Sequence, residues 1–111
     1  MKLTEFELDS IRIILEREEP TLLKYLPQLC VSSREDSGVG RVTRFARIQP
    51  SIDQEMNLTL GKSLYADIGE MAYGVGFMLF IDEGVPTELE VFSHSNEVIP
   101  KIIVSYKHSY I

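Results

Sequence analysis

The sequence predicts an α+β domain, with two N-terminal helices packed on a mainly antiparallel sheet of five to six strands. Three observations predict it. Apolar residues recur at helical spacing through the first 29 residues. From residue 31 onward, β-branched and aromatic residues alternate with polar ones or form strand-length runs, broken by Gly and Pro. Helices come first and strands after, an order that favours segregated layers over βαβ units. The 111 residues suit one compact domain, 1–111, helical over 1–29, sheet over 30–107 and a polar tail over 108–111.

The first helix opens at Thr4-Glu5-Phe6-Glu7, a capping box in which Thr4 accepts from the third helical N–H and Glu7 reaches back. Leu8, Ile11, Ile14 and Leu15 fall on one side, widened by Phe6 and Ile13, while Glu5, Asp9, Arg12 and Glu16 take the opposite arc. Pro20 suits the first turn of a second helix carrying Leu22, Leu23, Leu26 and Leu29, which Pro27 keeps short. Strands are expected over 31–34 and 41–48, parted by Gly38-Val39-Gly40. Residues 50–62 read as a long loop.

Leu64, Ala66 and Ile68 alternate with Tyr65 and Asp67 as in a half-buried strand. Residues 75–81 are apolar on both faces. That fits a central strand covered on each side, or one whose second face meets a partner. Asp82-Glu83-Gly84 reads as a three-residue hairpin loop leading to a strand over 86–93, with Leu89 and Val91 inward and Glu88, Glu90 and Phe92 outward. Residues 102–106 are expected as the last strand.

Composition is that of a folded protein, 44% hydrophobic and 25% charged. No apolar run approaches the roughly 20 residues that span a bilayer, and the start lacks the apolar centre of a signal peptide. Cys30 has no partner for an internal disulfide, which fits a reducing cytoplasm, and its apolar neighbours suggest a small core residue.

The net charge of −6 is unevenly spread. Residues 49–99 hold nine acids against Lys62 alone, whereas residues 30–48 hold Arg34, Arg41, Arg44 and Arg47 against Glu35 and Asp36. A field of one sign repels nucleic acid and attracts cations. It either keeps the surface soluble or steers a basic protein. Glu88 and Glu90 project from the same face of a strand and repel unless solvated or met by Arg or Lys. With Asp82 and Glu83 they place four carboxylates on one hairpin. Glu70, Asp53 and Glu55 are the secondary partner-binding candidates.

Chemistry finds little support. His94 and His108, with Lys101 and Lys107, could in principle cleave a phosphodiester, but the acidic surroundings oppose an anionic substrate. No EF-hand pattern, zinc spacing or Gly-x-Ser-x-Gly elbow occurs, so no metal and no cofactor are expected. Gly38-Val39-Gly40 and Gly74-Val75-Gly76 do not continue into a phosphate-binding fingerprint.

The segments Ser32-Ser33-Arg34-Glu35-Asp36-Ser37-Gly38-Val39-Gly40 and Gly74-Val75-Gly76-Phe77-Met78-Leu79-Phe80-Ile81-Asp82-Glu83-Gly84 resemble motifs of a family of small bacterial immunity proteins. Leu3-Thr4-Glu5-Phe6-Glu7 near the start and Leu89-Glu90-Val91-Phe92 near the end extend the resemblance over most of residues 3–100. Arg41 stands where that pattern has an aromatic, Ile99 replaces a Trp, and residues 101–111 are added. The resemblance implies a cytoplasmic protein that neutralises a polymorphic or contact-dependent growth-inhibition toxin. The partner would then be a basic toxin of ribonuclease type, blocked by occlusion, with no direct nucleic acid or membrane contact. The alternatives are a small hydrolase using His94 with a nearby carboxylate, and a regulatory protein-binding domain.

Overall fold

A computed structural model describes residues 1–49 and 56–111. An α-helix, α1 (Glu5–Glu18), and a 3₁₀ helix (Pro20–Gln28) precede seven strands. These are β1 (Val31–Asp36), β2 (Gly40–Phe45), β3 (Leu58–Leu60), β4 (Leu64–Ile68), β5 (Val75–Asp82), β6 (Val85–Ser93) and β7 (Tyr106–Tyr110). They form one sheet in the order β1-β2-β6-β5-β4-β7, with β3 pairing β5 beyond the end of β4. All pairings are antiparallel. The expected class holds, with seven strands in place of five to six. No helix among the described residues is long and apolar enough to cross a membrane.

The capping box forms as the sequence predicts: the Glu7 N–H donates to Thr4 Oγ1 at 3.1 Å and the Thr4 N–H to Glu7 Oε1 at 2.7 Å. Phe6, Ile11, Ile14 and Leu15 bury against the sheet, but so do Glu7 and Ser10, which hydropathy alone would place outside. The second helix is 3₁₀ rather than α. Three residues per turn set Tyr25 beneath Leu22, so Tyr25 is buried while Leu23 and Leu26 are only half-buried.

Cys30 is exposed, against expectation. Alternation across the start of β1 buries Leu29 and Val31 and turns Cys30 outward.

The core lies between the helices and one face of the sheet, where Val75, Phe77, Leu79, Ile81, Leu89 and Val91 are buried. The β5–β6 hairpin is tighter than expected. Asp82 pairs with Val85, leaving the two-residue connection Glu83-Gly84. Both have positive φ, 52° and 80°, as two-residue hairpin turns demand, and Gly supplies one of them without strain.

The last strand is displaced from its expected place. Residues 102–106 do not form it; Ile102 and Val104 are exposed, and the strand runs Tyr106–Tyr110, taking in the residues expected as a polar tail. Tyr106, His108 and Tyr110 face α1 from β7, across from Ile68, Ala66 and Leu64.

Candidate functional site: the open face of the sheet

Both helices lie on one face of the sheet, so alternate residues of every strand point the other way. Register assigns them. Glu90 stands between Val42 and Met78, Glu88 between Arg44 and Phe80, and Phe92 between Gly40 and Gly76. Tyr65 and Asp67 continue this face on β4, followed by Lys107 and Ser109 on β7. Val42, Met78, Phe80 and Phe92 are half-buried there. No helix among the described residues covers them.

Three of the four arginines of the basic stretch are held by carboxylates of the fold, while Arg47 is exposed and makes no ion pair among the described residues. Arg34 grips Glu7 with two hydrogen bonds, of 2.6 and 3.0 Å, while Thr43 donates to the same carboxylate at 2.6 Å. Burial alone raises the Glu7 pKa, but the bonds from Arg34, Thr43 and the Thr4 N–H outweigh it and hold the carboxyl below its usual range. Arg41 pairs with Asp36 at 2.9 Å and donates to the Pro100 carbonyl. Arg44 meets Glu35 at 2.8 Å and Glu88 at 3.3 Å, which relieves the expected repulsion between Glu88 and Glu90. Glu90 makes no ion pair among the described residues.

The predicted site residues divide into two groups. Asp82, Glu83, Glu88 and Glu90 follow one hairpin. The Asp82 carboxylate accepts from the Thr87 hydroxyl at 2.9 Å, and the Glu83 N–H donates to Asn57 Oδ1 at 3.1 Å, so the tip is held in place. Glu70 sits in the turn before β5, beyond the end opposite the hairpin tip, and the eight residues of β5 span about 23 Å at roughly 3.3 Å per residue. It belongs to no common patch with the hairpin tip. Asp53 and Glu55 lie outside the described residues. Among the described residues, no three His, Cys, Asp or Glu side chains stand close enough to hold a metal ion.

The two histidines have separate surroundings. His108 bonds Ser10 Oγ at 2.8 Å, and the Ser10 hydroxyl also donates to the Phe6 carbonyl. Ser10 is 0% exposed, so this Ser–His pair offers no hydroxyl to a substrate. Phe6 and His108 stack at 5.7 Å, and burial lowers the imidazole pKa against the opposing pull of Asp9.

His94 is exposed and lies among rings. It stacks on Tyr65 at 5.7 Å and meets Phe92 edge-on at 5.5 Å. Tyr65 and His94, together with Tyr73, Ser95 and Ile111, border an open recess of about 430 Å³. Gly74 and Gly76 let the Tyr65 and Phe92 rings approach the backbone. A Cβ on Gly74 would fall 2.8 Å from the Tyr65 hydroxyl oxygen, and one on Gly76 would fall 2.6 Å from the Phe92 ring. Glu97 ties the two walls together, accepting from the Ala72 and Tyr73 N–H groups and from the Ser95 hydroxyl. Those bonds hold its carboxyl below the usual range. Charge-based reading of the sequence misses this cluster. Its sequence signal is the Gly74-x-Gly76 pair, which does not continue into a phosphate-binding fingerprint.

Comparison of the chain with family models, with curated proteins and with solved structures finds no match in any of the three.

Proposed function

We propose that this chain is a binding protein that docks a basic protein partner on the open face of its sheet, without chemistry of its own. The observation that carries the reading is the face that no described helix covers: half-buried Met78, Phe80, Phe92 and Val42 beside Glu90, whose carboxylate makes no ion pair among the described residues. Half-buried apolar rows on an uncovered sheet face suit an interaction surface better than a solvated one. Arg34, Arg41 and Arg44 are committed to Glu7, Asp36, Glu35 and Glu88, so none of the three offsets Glu90, and the field around that carboxylate is negative. Such a field speeds encounter with a cationic partner, while the apolar centre supplies burial.

The sequence resemblance to immunity proteins gives this reading its specific form. The partner is then a contact-dependent growth-inhibition toxin of ribonuclease type, and occupation of its basic cleft excludes RNA. Calorimetric titration with the toxin encoded immediately upstream tests the proposal. Binding is expected, with association slowed and its salt dependence weakened in Glu90→Lys and Glu83→Lys. Absence of binding, together with no protection of cells expressing that toxin, would overturn it.

A further inference from the structure

We propose that the recess bordered by Tyr65, Tyr73 and His94 receives one cationic side chain, an arginine, from the docked protein. The inference rests on the open face being a docking surface and adds what its far end recognises. Three features of the recess support it.

Its lining is mainly aromatic, Tyr65, Tyr73 and His94 with Ser95 and Ile111, and a ring face is the negative side of the quadrupole that attracts a guanidinium. Tyr73 is 64% exposed, so an incoming group meets a ring already presented to solvent. A planar guanidinium can stack on such a ring, which a compact ammonium does less well.

Its border is mainly acidic, although Lys107 stands across from Asp67 on β7. Asp67 accepts from the Tyr65 hydroxyl at 2.7 Å, and Glu97 lies behind Tyr73 and Ser95. No Lys or Arg lines the recess. The field acts on Tyr65 itself, whose phenol is harder to ionise because of its bond to Asp67, with Glu97 adding to the effect.

Its shape is set before any ligand arrives. Gly74 and Gly76 seat the rings directly on backbone, and Glu97 bridges residues 72–73 to Ser95. A preorganised recess loses less entropy on binding than one assembled from mobile loops.

The test uses the full ¹⁵N-labelled chain and a short capped peptide, Gly-Arg-Arg-Gly, against its citrulline counterpart, which keeps the shape and removes the charge. The initial slope of amide shift per added peptide is read at Gly74, Gly76 and Ser95. The arginine peptide is expected to move these amides and the citrulline peptide to leave them nearly still. Tyr73→Ala should reduce the slope about threefold, the size of one exposed cation–π contact, and Tyr73→Phe should retain it. The exposed position of Tyr73 lets both variants fold. Equal slopes for the two peptides, or shifts confined to the Glu83–Gly84 hairpin, would overturn the assignment. If the protein partner binds yet the recess ignores arginine, only this inference fails. If arginine enters the recess yet no basic protein binds, the docking proposal fails and the recess assignment stands.

Discussion

Replacing Glu7 with Gln probes how an acidic protein keeps a charge inside. Glu7 is 4% exposed and accepts from Arg34 twice, from Thr43 and from the Thr4 backbone. The amide is nearly isosteric, so packing is preserved while the charge is lost. Removing one member of a buried pair costs about 3–5 kcal/mol when the other charge is stranded. The Arg34 side chain is 27% exposed and regains water in part, which lowers the expected loss to about 2–3 kcal/mol. For a domain of this size that is a fall in Tm of about 10 °C.

The pH dependence follows from the lowered carboxyl. The ionised form's contribution is fully present above the unfolded carboxylate pKa, about 4.3, and is lost as pH falls through the lower folded value. Urea unfolding of wild type and Glu7→Gln across that range should therefore show a gap at neutral pH that closes in acid. A variant as stable as wild type at neutral pH, or a gap unchanged into acid, would refute the reasoning.

Three further outcomes are expected. Burial holds the His108 pKa down, so the unfolded chain takes up its proton first, and stability should decline as pH drops below about 6.5. His108→Phe, set among Phe6, Phe77 and Tyr106, should flatten that slope in urea titrations. Glu97→Gln should speed amide exchange at Ala72 and Tyr73 about fivefold while leaving global unfolding in place. Gly76→Ala should cost about 1–2 kcal/mol, because the Phe92 ring can swing aside. Gly74→Ala should cost more, about 3 kcal/mol, since its Cβ would fall 2.2 Å from the Ala66 carbonyl at a φ of +64°; denaturant midpoints rank the two.

Much of the fold is legible in the sequence wherever the pattern and the burial have the same cause. The capping box at Thr4, the alternation of Leu64, Ala66 and Ile68, and the inward Leu89 and Val91 each follow from one face meeting one core. Elsewhere the two part. Ile102 and Val104 look like strand by composition but stay exposed, while Lys107-His108-Ser109 looks like tail yet pairs with β4. Backbone pairing made the strand there, and Tyr106, His108 and Tyr110 were its only periodic signal. Glu7 and Ser10 escape hydropathy because their burial depends on partners 27 and 98 residues away.

The candidate site divides in the same manner. The hairpin carboxylates are contiguous in sequence and could be named. The aromatic recess joins β4, the end of β6 and two loops, and no local pattern connects them.

The pairing of β7 with β4, under the start of α1, has a kinetic side. Asp9 meets Tyr106 across 97 residues of sequence, Ser10 meets His108 across 98, and Glu18 meets Tyr110 across 92. Contacts of such separation close the largest loops in the chain, and topologies dominated by them fold slowly. Phe77 of β5 covers one side of Phe6 and can do so before β7 pairs, whereas Tyr106 and His108 complete the cover of Phe6 and Ser10 only once the last strand is in place.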